Sequence, residues 1–524
     1  MADLLLHGTL FTLDARRPRA GAALIRDGKF LRVGSREECE REAHKDALVV
    51  DTGAGCAVPG LVDAHGHPLL HGRMLAEVRL QGAASAQECA ARVAAWAKTT
   101  PEGRWIRGGG WDQNLWPDHA FPDARTLDAA VPAHPVAVMR ADLHAVWCNT
   151  LAMQAAGVAA TTPDPPGGRI VHRPDGTPSG VLVDAAMEVV RRAIPPPAES
   201  ETEATILRSL HSLAAAGLTG VHDASAGPSV MQAYRRLAEA GKLPLRVYAM
   251  IDGQGDHATE QMRAWRETQR VGLLTVRSVK LFADGALGSR GAAMFDPYED
   301  DPGNTGLWLT EPRELHARIA RVAAAGYQPC VHCIGDRACA VVLRAFMGVP
   351  PELRPRAEHL QVLRAQDVPL LRGSRAVASM QPTHATSDGA WAESRLGRGT
   401  ERQRGAYAWR QALDAGAPLA FGSDFPVEDV DPRQGLRAAI TRKIPSGAMW
   451  MPEQRLTREE ALRAFTAGAA FAEFAEERRG CIREGFDADV TVFGANLMTL
   501  PADELPRAPI AATVVQGRVV YAGE

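Results

Sequence analysis

The sequence predicts an α/β fold: a (β/α)8 TIM-type barrel, a small β-sandwich built from both chain termini, and a long insertion after the first barrel strand. Three observations carry this prediction. Both ends of the 524-residue chain are β-rich and the middle is not. The middle alternates eight short apolar segments with alanine-rich amphipathic stretches, the pattern of a parallel sheet closed on itself and wrapped by helices. Ionisable residues recur at the C-terminal ends of those apolar segments, where barrels of this kind keep their chemistry.

The terminal elements come first in chain order. "LLLHGTLFTLD", "GAALIRDGKFLRVG" with a turn at Asp27-Gly28, and "LVVDTGAGCAVPG" read as short strands. "GFDADVTVFG" and "IAATVVQGRVVYAG", turning at Gln516-Gly517, read alike. Residues 1–56 and 480–524 are therefore expected to share one β-sandwich, with the barrel over 57–479. The eight barrel strands are expected over 61–67, 217–223, 245–251, 278–283, 328–333, 355–359, 376–381 and 419–424. Helical stretches such as "TILRSLHSLAAAG" and "ELHARIARVAAAG" separate several of them. The insertion, about 82–204, carries "WIRGGGWDQNLWPDHAF" and the Pro/Gly-rich "TTPDPPGGRIVHRPDGTPSG".

Composition narrows the function. The chain is 46% hydrophobic and 23% charged with a net charge of -3, so nothing favours nucleic acid or an anionic membrane. The start of the chain carries Asp3 and Asp14 and lacks the basic-then-apolar order of a signal peptide. No segment reaches the roughly 18 apolar residues of a membrane helix. Eight scattered cysteines in a long chain suit a reducing cytoplasm better than a disulfide framework. The expected partner is a small-molecule substrate, and a homodimer is left open.

The chemistry is concentrated at strand ends. Side chains on a strand alternate faces, so Asp63, His65 and His67 in "GLVDAHGHPLL" share one face, and in a barrel that face is the interior. Two neutral imidazoles aimed into a confined space suit a divalent cation, and coordination offsets their desolvation. Asp63 is the candidate to orient one of these rings. His222-Asp223, Lys280, His332, His359 and Asp424 end the later strands. Lysine is scarce here, at six of the 59 basic residues, so a need for charge alone would be met by arginine. A buried lysine shifts toward its neutral amine, which can react with carbon dioxide to give a carbamate able to bridge two metals. A buried salt bridge from Lys280 to Asp284 is the alternative. Asp424 can ligate a metal and accept a proton from water, and His332 and His359 complete an N/O set suited to zinc, with manganese, nickel and iron left open.

An ordered series of motifs runs almost end to end: "PGLVDAHGH", "GGGWDQNLW", "PPGGRIVHRPDGTPSGVL", "VKLFADGALGSRGAA", "VHCIGDRA", "RAEHLQ", "ASMQPTHATSD", "LAFGSDFPVEDVDP" and "GCIREGFDADVTVF". This series closely resembles the amidohydrolase superfamily, and within it amidohydrolase family 3, the YtcJ-like group that includes N-substituted formamide deformylases. The resemblance implies a barrel carrying one or two divalent metal ions. His65 and His67 with Asp424 would bind the first, His332 and His359 the second, and carboxylated Lys280 would bridge them. Asp424 would also serve as the catalytic general base and then protonate the leaving nitrogen. The expected reaction is metal-dependent hydrolysis of a non-peptide C–N bond in an amide, N-substituted formamide or cyclic amide. A lactonase, carbamate hydrolase or deaminase on the same site, or a non-catalytic binding barrel, are the competing readings.

Substrate contacts are expected from Trp111, Asp112 and Asn114, beside Trp116, on the glycine-rich insertion loop. His144 in "RADLHAVWCN", and His222, Arg290, Gln381 and His384 after barrel strands, are further candidates. Cys330 and Cys333 flank His332 as C-x-x-C, but their opposite parity on a strand would strain a disulfide, so buried thiols are expected. "GDHATEQMRAWRE", with His257, reads as the start of a solvated helix.

Overall fold

A computed structural model describes residues 3–141, 144–195, 199–255 and 257–523. Asp142 and Leu143 of the "RADLHAVWCN" motif, and Asp256 ahead of His257, lie outside these residues. The chain divides into two compact units, one of residues 1–69 with 206–524 and the other Leu70–Thr205.

The first unit contains eight parallel strands: β1 (Leu61–Gly66), β2 (Leu218–Ala226), β3 (Arg246–Asp252), β4 (Leu274–Phe282), β5 (Gln328–Cys333), β6 (Arg356–His359), β7 (Val377–Met380) and β8 (Leu419–Phe421). They pair in chain order, each with the next. β8 returns to β1 through the Asp424 N–H donating to His65 O at 2.7 Å and the His67 N–H to Phe425 O at 2.8 Å, which nearly closes the barrel. The expected strands are all present, with shifted ends. β4 begins at Leu274 because Arg270–Val271 turns back to pair with it antiparallel. β8 ends at Phe421; Gly422 still donates to Met380 O of β7, and Ser423 and Asp424 then leave the ladder to bond to β1 instead.

Glycine permits that closure. A Cβ on Gly66 would lie 2.1 Å from the Phe425 ring, and one on Gly422 would lie 2.5 Å from His65 N. Neither is a distance that packed atoms tolerate, so the H-G-H spacing belongs to the geometry that brings β8 against β1. Around the barrel the helices use ordinary start signals. Asp431 caps Pro432–Thr441, which has proline in its first turn, and Thr457 and Glu460 form a capping box on Arg458–Ala464.

The terminal strands join in one eight-stranded sheet. Its two halves meet where Cys56–Pro59 pairs antiparallel with Val490–Phe493. Leu4, Leu6, Ile25, Phe30, Val490 and Val514 pack its core.

The second unit is built on a six-stranded mixed sheet ordered Gly168–His172, Pro178–Asp184, Ala145–Cys148, Val136–Arg140, Ile106–Trp111, Val78–Arg79. It begins at Leu70, ahead of the expected 82, because Val78–Arg79 joins its edge beside Ile106–Trp111. Trp111, Trp116 and Trp147 lie in its hydrophobic core with Leu80, Val93 and Val138.

Candidate metal centre

The C-terminal ends of β1, β4, β5, β6 and β8 bring the six expected ligands together. His65 and His359 have ring centroids 4.7 Å apart, His332 and His359 also 4.7 Å, and His65 and His67 5.8 Å. Lys280 Nζ lies 3.4 Å from His65 Nε2. Asp424 Oδ1 is 3.0 Å from His67 Nε2 and 3.6 Å from His65 Nε2. Ligand atoms of His65, His67 and Asp424 fall within 4.8 Å of one another, as do those of His359, His384 and Asp424. The residues span nearly the whole barrel in sequence, and the parallel register aligns them: Phe282 opposite His332, Cys333 opposite His359.

Burial sets the electrostatics. It pushes the His65 imidazole down to about 4 and that of His332 to about 3, with the Lys280 charge adding to both shifts. Burial also holds His359 well below its ordinary value. These rings are thus neutral and able to offer a lone pair. Burial lowers the Lys280 ammonium as well, and no carboxylate forms a salt bridge with it among the described residues. Asp284 spends its carboxylate elsewhere, accepting from the Ala293, Ile334 and Gly335 N–H groups, so the alternative Lys280–Asp284 bridge is not formed. Burial alone would raise the Asp424 carboxyl. The His67 hydrogen bond and the imidazoles of His65, His359 and His384 outweigh it and hold the group well below the usual carboxylate range.

A divalent cation fits this donor set. The Nε2 atoms of His332 and His384 are buried without a hydrogen bond, an expensive condition that coordination relieves. His359 Nδ1 lies 2.8 Å from Gln381 Oε1 and His65 Nδ1 2.5 Å from Glu358 Oε2. An amide oxygen and a carboxylate can only accept, so each ring carries its proton on Nδ1 and keeps Nε2 bare. His359 and Asp424 also sit in the left-handed backbone region, at φ 70° and 61°. For non-glycine residues that costs about 1–3 kcal/mol, a strain typical of functional sites.

A sequence profile described as the amidohydrolase family matches residues 48–521. The chain belongs to the amidohydrolase family. It is 31% identical to the YtcJ protein of Bacillus subtilis, an amidohydrolase by name, over 98% of both chains. It is 27% identical to an N-substituted formamide deformylase of Arthrobacter pascens, over 99% of this chain and 98% of that one. Among solved structures, an uncharacterized metal-dependent hydrolase of Pyrococcus horikoshii superposes with a TM-score of 0.79 at 25% identity, over 96% of this chain and 99% of that one.

The other residues singled out in this amidohydrolase take several places. Gln381 orients His359, and His384 faces Asp424 Oδ2 at 3.8 Å, so both belong to the centre itself. Arg290 is held by Asp300 through two contacts of 3.0 and 3.1 Å. His222 is fully buried against Arg356, 2.9 Å from its Nη1, an internal position that replaces the expected substrate contact. In the second unit Trp111 is fully buried and donates its indole N–H to Val138 O, a packing role in place of the expected substrate contact. Asp112 caps the turn through Asn114 N, Asn114 is exposed, and His144 is exposed beside Asp184 at 2.8 Å. Cys330 and Cys333 are free buried thiols, and burial pushes Cys330 up to about 12. His257 opens the helix His257–Trp265.

Two roles differ from the expectation. Asp63 does not orient an imidazole. It accepts from the Ser423 hydroxyl at 2.6 Å and from the Ser423 and His65 N–H groups, pinning residue 423 to β1. The orienting acid is Glu358, which the sequence hides: it lies one residue before His359 in "RAEH" and 293 positions from the ring it holds. Its parity with Arg356, two residues earlier on β6, is the signal that both face inward.

Proposed function

We propose that this hydrolase is a metal-dependent amidohydrolase that cleaves a non-peptide C–N bond, as in an N-substituted formamide, another amide or a cyclic amide. The observation that carries this reading is the convergence of four imidazoles, one desolvated lysine and one ionised aspartate at a single end of the barrel. In this reading His65, His67 and Asp424 would hold one cation and His332 and His359 a second, with Lys280, as its carbamate, a further ligand. Zinc is the ion best matched to the set. A divalent cation there supplies Lewis acidity, polarising a carbonyl and bringing the ionisation of water near neutral pH.

The chain's own groups then have distinct tasks. Asp424, ionised and at the mouth of β8, accepts the proton of the attacking water and returns it to the leaving nitrogen. His384 lies 3.8 Å from Asp424 Oδ2, which supports a role for it in contacting the reacting group. Gln381 and Glu358 keep two rings in one tautomer. Lys280, whose ammonium form is disfavoured by burial, would form its carbamate by joining its neutral Nζ to carbon dioxide and releasing a proton. The names of the relatives, a formamide deformylase and a metal-dependent hydrolase, support the same chemistry. Eight unpaired cysteines support a cytoplasmic setting, and no helix among the described residues is long and apolar enough to cross a membrane.

The test is a hydrolysis screen on chelator-treated protein with and without added zinc and bicarbonate, using N-substituted formamides, cyclic amides and matched lactones. Zinc-dependent release of amine is expected. Turnover of lactones alone, or equal rates with and without metal, contradicts the reading.

A further inference from the structure

Beneath His65 the barrel interior holds a series of buried ionisable side chains, hydrogen-bonded from His65 to His222 and continued to Glu473 by a longer contact. Glu358 Oε2 lies 2.5 Å from His65 Nδ1, and Arg356 Nε lies 2.8 Å from Glu358 Oε1. Arg356 Nη1 is 2.9 Å from His222 Nδ1, His222 Nε2 is 3.9 Å from Glu473 Oε2, and Arg479 Nη2 is 3.1 Å from Glu473 Oε1. None of the five residues from Glu358 to Arg479 exceeds 7% exposure. The series ends at the N-terminal end of the barrel, where Gln328, the first residue of β5, donates to Ala472 O.

Apolar side chains would fill this volume with less desolvation cost, since a buried ion pair often contributes no net stability. The donor inventory shows what the series does instead. A guanidinium can only donate, so His222 Nδ1 accepts from Arg356 and the His222 proton resides on Nε2, toward Glu473. At the other end the Glu358 carboxylate can only accept, so the His65 proton resides on Nδ1 and Nε2 is bare. One ion pair thus holds two histidines in opposite tautomers. Arg356 is further fixed by donating to Ala64 O at 2.7 Å and to the Ser379 hydroxyl at 2.9 Å, which ties it to β1 and β7.

We propose that His222 and Glu473, acting through the Arg356–Glu358 pair, are positioning residues that set the orientation and tautomer of His65 for its cation. The inference rests on the metal-centre reading above. It moves His222 from the substrate side of the barrel to the support of a ligand, and it makes the 473–479 segment part of what determines metal affinity.

Cobalt(II) titration of the full-length apoprotein, read by visible absorption and by competition with a chelator, tests this without turnover. Glu358→Gln is expected to weaken binding by about 10- to 100-fold, the usual effect of removing a partner of a metal-bound imidazole. His222→Leu and Glu473→Gln are expected to weaken it by about three- to tenfold and to shift the cobalt bands. His222→Gln, which keeps an acceptor for Arg356, should stay within about twofold of the parent. The two remote variants report independently, so misfolding of one leaves the other to decide. Parental affinity with unchanged bands in His222→Leu or Glu473→Gln overturns the role of that residue. A parent protein that takes up no cobalt overturns the metal-centre reading instead.

Discussion

Asp424 Oδ1 lies 3.0 Å from His67 Nε2, and the same carboxylate faces His384 through its other oxygen at 3.8 Å. A carboxylate so surrounded remains ionised and sits where a proton must be taken up. Asp424→Asn is nearly isosteric, so the fold should survive. The rate constant kcat should fall by about 10²–10⁴, the usual worth of a positioned general base. Kinetics of the zinc-loaded variant on an amide substrate provide the check, and a rate near that of the parent would remove Asp424 from this role.

Lys280 is enclosed beside His65, and no carboxylate among the described residues forms a salt bridge with it, a poor setting for a permanent cation. Lys280→Arg places such a cation there and cannot form a carbamate. The variant should bind fewer metal ions per chain and lose most of its activity. Metal content by mass spectrometry of the dialysed protein tests this, and full bimetallic loading with full activity would refute it.

Gln381 holds His359 by a single 2.8 Å contact and has no competing charge. Gln381→Leu should release that ring and raise the metal dissociation constant by about tenfold or more. A chelator competition that gives the parental constant would show that the ring is fixed by packing alone.

Trp111 is buried among Trp116, Trp147 and Phe121, with ring centroids 6.1, 6.3 and 6.4 Å away. Trp111→Ala leaves a cavity and loses the indole N–H bond to Val138 O, at a cost of about 3–5 kcal/mol. Hydrogen exchange should accelerate across Ile106–Trp111 and Val136–Arg140. Unchanged protection there would count against a packing role.

Away from the centre, the Arg26 guanidinium, hydrogen-bonded to Asp3, holds that carboxyl at about 2 against an ordinary 3.8. A depressed folded-state pKa stabilises above the unfolded value and is lost as pH falls from about 4 to about 2. Arg26 is partly exposed, so the contribution is about 1–2 kcal/mol. Asp3→Asn should therefore lower the urea midpoint at pH 7, and the gap to the parent should close as pH falls toward 2. A gap independent of pH would show that the ion pair is not its source.

Much of the barrel was legible because β1 to β8 are short apolar runs closed by a polar residue, and a parallel sheet buried on both faces demands such runs. His65, His67, Lys280, His332, His359 and Asp424 were legible for a related reason: a buried ionisable group at a strand end needs a chemical partner. Glu358 and Arg356 were not, because their partners come from β1 and β2, far away in sequence. Asp63 was assigned to the wrong neighbour because alternation gives a face and not the groups across it, and Ser423 lies across it. Trp111 misled for another reason. Glycines beside a tryptophan suggested an open loop, whereas Gly108 has no room for a Cβ, which would lie 2.1 Å from Val78 O in the adjoining strand.

Anomalous diffraction at the zinc edge from crystals grown with zinc tests the central claim most directly. The account predicts a strong peak within coordination distance of His65 Nε2, His67 Nε2 and an Asp424 oxygen, roughly 2.0–2.2 Å from each. Zinc found only elsewhere on the protein, with those three side chains still bonded to one another, would contradict it.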